Sequence, residues 1–412
     1  MSWGTNVLVG QSGGPTAVIN SSLAGVYEAA KALGAAHVYG MEYGIQGLLQ
    51  GKIVDLDDRL DDKMEIELLK RTPSSYLGSC RFKLPNPATD ERPFVQLFEL
   101  FAKYCIGAVF YIGGNDSMDT IAKLSAYGAA KGSEIRFIGV PKTIDNDLMY
   151  TDHTPGYGSA AKYIATILKE VICDSSVYNI RSVTVAEIMG RHAGWLTAAA
   201  ALAGEYGAGP DLIYLPEVDF SMTQFIEDVK RVYAEKGSCI VAVSEGIHYE
   251  DGGFVSEAKV AANDGFGHAQ LGGLAAMLAQ VLKEETGAKV RGIELNLLQR
   301  CGAHLASETD IEESYMAGKA AVENAINGIN GRMIGFERGI RDGKYACKTK
   351  LIPLMEVANT EKKVPLEWIN REGNNVNKEF IDYALPLIQG TPDRPLENGL
   401  PRFARLKKIQ AK

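Results

Sequence analysis

Nowhere in the chain do apolar residues run for the eighteen or so positions that a helix needs to cross a bilayer. The first residues, MSWGTNVLVGQSGG, have neither a basic opening nor a long apolar stretch, so no secretory signal is expected there. Basic charge is not in excess either. Forty-three Lys and Arg face 51 Asp and Glu, a formal net charge of −8, which argues against a nucleic-acid footprint. Six cysteines (Cys80, Cys105, Cys173, Cys239, Cys301, Cys347) form no CxxC pair and no zinc spacing. They are expected to be reduced, mostly buried thiols of a cytoplasmic protein. No fixed-period repeat, low-complexity tract or composition-marked linker interrupts the sequence.

What is present is an ordinary globular balance: 412 residues, 46% hydrophobic and 23% charged. At about 150 residues per domain, that length suits two or three domains. Short β-branched apolar runs recur at 6–10, 37–41, 107–114, 136–140, 181–189, 211–217, 238–246 and 290–298. Helical patterns separate several of them, at 15–33, 221–237 and 268–287. Strands alternating with helices predict an α/β protein with parallel sheets, and near-continuous apolar strands predict sheets covered on both faces. From about Ile334 the sequence is more polar and reads as a few strands, a short helix and a tail. With no linker in sight, two α/β units that exchange chain are expected.

Ligands of open α/β sheets bind beyond the carboxyl ends of the strands, and here those ends carry the unusual residues. The run VLVGQSGGPTAVIN brings a strand into Gly10, Gly13 and Gly14, and Pro15 is expected to open a helix. Glycines admit a close ligand, and a helix N-terminus offers free N–H groups, so the pattern suits phosphate. It is equally a plain strand–turn–helix connection. A second run ends in YIGGNDSMDT, where Asn115 or Asp116 could simply cap the next helix. A third ends in GVPKTIDNDLMY, which crowds Lys142, Thr143, Asp145 and Asp147 together. Capping needs one carboxylate, not two beside a lysine. A base for a hydroxyl proton together with a cation for a transferring phosphoryl group accounts for the set. EIMGRHAGW follows another strand and offers Arg191 to an anion, and VSEG offers Glu245 to sugar hydroxyls. Arg291 and Arg300 flank GIELNLLQ and suit a phosphate monoester. Each of these has a bland alternative as a surface ion pair.

The order GGP, LGSCRF, GGNDS, PKTIDND, MGRHAGW, SEG and QRCG, over roughly residues 5 to 345, resembles the phosphofructokinases, and within them the pyrophosphate-dependent branch. The resemblance implies two doubly wound, mostly parallel α/β domains with chain exchange: 1–156 with 299–350 for the phosphoryl donor, and 157–298 with 351–412 for the sugar phosphate. It implies reversible transfer from pyrophosphate to the 1-hydroxyl of fructose 6-phosphate with Mg²⁺, by a homodimer or homotetramer. Asp145 would be the base, flanked by Thr143, Ile144 and Asp147, with Lys142 at the reacting phosphate. Gly14, Arg81 and Asp116 would face the donor. Met189, Gly190, Arg191, Glu245 and Arg300 would face the sugar phosphate. Arg291, and more loosely Arg181, would reach the 6-phosphate, in this family often from a neighbouring subunit.

Two positions bear on the donor. The ATP-using branch looks like GGDGS and PGTIDND, whereas this chain has Asp116 and Lys142 where that branch has glycines. A carboxylate at 116 would occupy and repel the place of the ATP α-phosphate, and a lysine at 142 would serve a compact, highly charged pyrophosphate. DGFGHAQLGG (264–273) also looks like the pyrophosphate branch. Asn115 stands where the commoner pattern has a metal-contacting Asp, and Leu297 where many relatives carry His or Tyr. Asn115 is therefore the expected metal contact, through an amide oxygen that adds no charge. The alternatives are the same chemistry with ATP, a catalytically silent regulatory subunit, or a sensor without turnover.

Overall fold

The computed structural model describes residues 4–58, 60, 62–177, 181–256, 272–358 and 360–405. Apart from a two-residue hairpin pair near the end (Leu396–Glu397 with Leu400–Pro401), its strands are β1 (Asn6–Gln11), β2 (Val38–Met41), β3 (Ile53–Asp55), β4 (Ile106–Gly113), β5 (Arg136–Pro141), β6 (Ser182–Ile188), β7 (Leu212–Tyr214), β8 (Ser238–Ser244), β9 (Lys289–Glu294), β10 (Arg332–Arg341) and β11 (Lys344–Pro353). The larger sheet has the order β11-β10-β5-β4-β1-β2-β3, and the smaller β7-β8-β6-β9. The expected α/β class with mostly parallel sheets holds. Only β2–β3 and β10–β11 pair antiparallel in these two sheets.

The central strands are apolar because both faces are covered: all seven residues of β6 are buried, as are seven of the eight in β4. Register then levels the strand ends. Gln11 of β1 pairs with Ile112 of β4, and Gly113 with Pro141 of β5. Ile188 of β6 pairs with Ser244 of β8. The loops after β1, β4 and β5 therefore leave the larger sheet at one edge, and those after β6 and β8 leave the smaller sheet together.

Helices Ile19–Ala32 and Glu308–Ile326 cross closely behind the larger sheet. A Cβ on Gly25 would lie 2.2 Å from the Tyr315 carbonyl oxygen, so nothing larger than glycine fits. The buried carboxylate of Asp310, from the second of these helices, accepts the N–H groups of Gly156 (2.8 Å) and Ser159 (2.9 Å). It thereby caps helix Tyr157–Ser176, which carries the chain from the larger sheet to the smaller one.

Several expectations change. The helix after the first glycine loop begins at Ile19, not Pro15, so residues 15–18 extend the loop. The N-cap of helix Asn115–Ala130 is Gly114, with no side-chain cap, so Asn115 and Asp116 are first-turn residues rather than caps. The cysteines are not mostly buried: Cys80 and Cys239 are, but Cys105, Cys173 and Cys301 are exposed. Residues 264–271 of the DGFGHAQLGG stretch lie outside the described residues; helix Leu274–Thr286 follows. Among the described residues no helix is long and apolar enough to cross a membrane.

Candidate active site

The levelled strand ends open into one cleft of about 620 Å³ between the two sheets. Most of the residues singled out in the sequence line it: Gly14, Arg81, Asn115, Asp116, Lys142, Thr143, Ile144, Asp145, Asp147, Met189, Arg191, Glu245 and Arg300.

The side formed by the glycine loop, expected to face the donor, is a floor of bare backbone. Gly13 has φ +78°, the left-handed region that favours glycine. Its N–H reaches the Cys80 carbonyl (3.3 Å), and its own carbonyl accepts the Ser79 hydroxyl (2.5 Å). These bonds tie the glycine loop to LGSCRF and so bring Arg81 to the cleft. A Cβ on Gly14 would lie 3.4 Å from a guanidinium nitrogen of Arg300. Arg300, expected on the sugar side, thus borders the donor glycines as well. Burial, and after it the charge of Arg81, holds the Arg300 pKa below the ordinary guanidinium value.

At the centre Lys142 is only 3% exposed. Burial pushes its ammonium down to about 8, against the pull of Asp145 and Asp147. Both carboxylates go the other way. Burial raises Asp145, opposed by Lys142 and by the Thr143 hydroxyl, which donates to its Oδ2 at 3.2 Å. Burial also raises Asp147, and the charges of Asp145 and Glu361 add to it. One Asp147 oxygen, Oδ1, is buried with no hydrogen-bond partner. A poised acceptor, a poised cation and an unsatisfied carboxylate within one loop are what proton and phosphoryl transfer require.

On the opposite side, expected to face the sugar, the Gly190 N–H donates to Glu245 at 3.3 Å, and burial pushes Glu245 up to about 7. The Met189 N–H donates to the buried Gln299 at 3.3 Å, which fastens the MGR loop to the short helix that carries Arg300.

Two expected residues are elsewhere. Arg181 precedes β6, at the opposite end of that strand from Arg191, and stacks on the Tyr233 ring at 5.7 Å. Arg291, in the first half of β9, lines a separate cavity with Glu170, Asp174 and Thr184. The pairing of Arg291 with Arg300 read from the sequence is therefore not formed within the chain. β9 and the turn after it separate the two guanidiniums. Conversely, Lys83, His192 and Glu361 line the cleft without having been anticipated. Glu361 lies in a polar segment with no periodic pattern, and nothing in the sequence marks it.

These features meet in a known class. A family model described as Phosphofructokinase matches residues 6–324, and the chain belongs to that family. It is 42% identical over 408 residues to a protein of Halomonas elongata named pyrophosphate–fructose 6-phosphate 1-phosphotransferase, covering 98% of this chain and 96% of that one. It also resembles the crystal structures of pyrophosphate-dependent phosphofructokinases from Marinobacter aquaeolei (TM-score 0.88, 38% identity, 99% of this chain and 97% of that one) and Nitrosospira multiformis (TM-score 0.89, 38% identity, 99% and 98%).

Proposed function

We propose that this phosphofructokinase reversibly transfers a phosphoryl group between pyrophosphate and the 1-hydroxyl of fructose 6-phosphate, a step of glycolysis and gluconeogenesis. The observation that carries this reading is the cleft itself, with buried Lys142 beside Asp145 and with the Asp116 carboxylate on its wall. The names of relatives that match nearly the whole chain support the same donor. In the forward direction Asp145 takes the hydroxyl proton. The sugar oxygen bonds to the nearer phosphorus, the bridging P–O bond breaks, and inorganic phosphate leaves. Lys142 offsets the charge on the moving group. Gly14, Arg81 and Asp116 border the donor; Thr143, Ile144, Met189, Gly190, Arg191, Glu245 and Arg300 border the sugar phosphate. Residues 1–156 with 299–353, rather than 299–350, go with the larger sheet as the donor domain, since β11 runs to Pro353, and residues 157–298 go with the smaller sheet as the sugar domain.

Mg²⁺ fits this site. Among the described residues, the two groups of three metal-type side chains with ligand atoms within 4.8 Å of one another both lie outside the cleft. The cleft instead offers scattered oxygens, including the orphaned Asp147 Oδ1 and the Asn115 amide. Mg²⁺ prefers such a place, taking one or two protein oxygens and completing its shell with water and substrate phosphates. When bound it would neutralise charge on the two phosphates. We place the enzyme in the cytoplasm as a homodimer or homotetramer, with Arg291 and Arg181 turned toward a neighbour.

The test is the initial rate with fructose 6-phosphate and Mg²⁺, supplied with pyrophosphate or ATP at matched concentration. Pyrophosphate should be strongly preferred. An equal or faster rate with ATP overturns the donor assignment, and no turnover with either overturns the enzyme.

A further inference from the structure

The segment 360–364, far along the chain from every motif, fastens the catalytic loop to both walls of the cleft. The Thr360 carbonyl accepts the Asn115 amide at 2.5 Å, on the donor wall. The Val364 N–H donates to Glu217 at 3.0 Å, and the same carboxylate oxygen accepts the N–H of Gly194, just beyond MGRHA, at 2.8 Å. Between them Lys362 enters the loop that carries Asp145 and Asp147. Its backbone N–H donates to the Asp147 carbonyl at 2.7 Å. Its ammonium donates to the carbonyls of Asp152 at 2.8 Å and Thr151 at 3.2 Å, and lies 3.5 Å from Asn146 Oδ1. The Trp195 indole N–H donates to the Lys362 carbonyl at 2.9 Å, and the ammonium sits 5.0 Å from that ring's centre.

The loop needs such support. It leaves at Thr143 and returns to pair with it at Gly156. Within it, Asn146 is held buried in the left-handed region at φ +56°. An ammonium has three donors, and here three oxygens of one loop surround it. Burial lowers Lys362 to about 7, with Asp152 and Asp147 opposing and Arg338 and Lys350 adding to the fall. The oxygen cage gives the ammonium the acceptors that burial would otherwise deny it.

We propose that Lys362 is a positioning residue for phosphoryl transfer: its ammonium pins the loop at Asn146 and Thr151–Asp152, beside the backbone bond to Asp147, and so fixes the Asp145 and Asp147 carboxylates in the cleft without touching substrate. The proposal rests on the transfer reading above. Loss of the pin displaces the reacting groups while leaving the anion contacts of Arg191 and Arg300 in place.

The experiment uses the full chain with Lys362→Met, read by steady-state kinetics and by hydrogen exchange. The expected result is a fall in kcat of about 30- to 100-fold, the scale of a small misplacement of reacting groups. KM for both substrates should stay within about threefold, since the ground-state contacts remain. Exchange should quicken in peptides spanning 143–156 while β1 and β6 stay protected. A kcat near the unmodified value, a KM rise that accounts for the whole loss, or exchange that quickens through both sheets each overturns the proposal. Should Lys362→Met not fold, Lys362→Gln, one atom shorter and uncharged but with two N–H donors, takes its place, and the same results decide. If the unmodified protein lacks turnover, the transfer reading fails by itself. Unchanged exchange at 143–156 instead overturns the pin, even with the activity intact.

Discussion

Gly13 and Lys142 approach so closely that a Cβ on the glycine would stand 3.1 Å from the lysine Nζ. Only a bare backbone fits beside the buried ammonium, which the glycine therefore leaves uncovered in the cleft. Gly13 is also left-handed, at φ +78°. Gly13→Ala should therefore lose about 1–2 kcal/mol of stability through backbone strain. It should also lower kcat/KM for pyrophosphate by about tenfold or more, the scale of one weakened charged contact. Denaturant titration and donor saturation curves check the two effects. Unchanged kcat/KM would remove Gly13 from the donor site.

The base is tested at Asp145. The carboxylate is buried, raised, and held by the Thr143 hydroxyl. Asp145→Asn keeps the shape and removes the acceptor of the proton. We expect kcat to fall by about 10²- to 10⁴-fold with KM little changed. A variant with nearly normal kcat would make Asp145 structural.

What the sequence displayed and what it hid differ in kind. Apolar runs announce buried strands, and the loops after them are contiguous, so Lys142 through Asp147 could be read together as one site. The glycine loop could be placed but not its helix, because residues 15–18 carry no signal separating an extended loop from a first helical turn; the helix waits until Ile19. Contacts made across the fold left no local trace. Lys362 meets Asn146 across 216 positions, and Glu361 enters the cleft from a segment without periodicity. The Arg291–Arg300 pairing misled because closeness in sequence does not fix the face to which a strand residue points.

The arginines separate by location. Arg191→Ala should mainly raise KM for fructose 6-phosphate, by the loss of a charged contact of about 1.5–3 kcal/mol. Arg300→Ala should raise KM for both substrates, since Arg300 also borders Gly14. Arg291 lies outside its own chain's cleft, so its effect requires a neighbour. Co-expressing Arg291→Ala with Asp145→Asn should give mixed oligomers more active than either parent, because one site per pair regains both groups. Activity no better than that of the parents would place Arg291 outside every site.

Donor choice is tested at Asp116, a first-turn carboxylate lining the donor wall. On the proposed reading, its charge should cost a bulkier nucleotide more than it costs pyrophosphate. Asp116→Gly should raise the rate with ATP from a very low baseline. Adding Lys142→Gly should cut pyrophosphate use by roughly 10²-fold or more, the scale for one lost transition-state donor. No gain of ATP use in Asp116→Gly would relocate the discrimination.

The pH profile follows from the same loop, and its two limbs have opposite causes. Burial raises Asp145, so at low pH the base carries a proton and cannot accept another; activity rises as pH climbs through that value. Burial lowers Lys142 to about 8, so the ammonium is present below that pH and lost above it. Activity should therefore fall on the alkaline side near pH 8, well before an exposed lysine would titrate. Pyrophosphate and its metal complex ionise as well, so the profile of the unmodified enzyme alone cannot assign the limb. Lys142→Arg supplies the comparison. A guanidinium remains charged through this range, and the substrate's own ionisation is common to both proteins. The variant should be slower, because a planar fork does not reproduce a point charge in a packed site. The ratio of unmodified to variant kcat/KM should nonetheless decline as pH passes 8. A ratio that stays flat from pH 7 to 9 would show that Lys142 keeps its proton there, or that its charge does not act in the transfer.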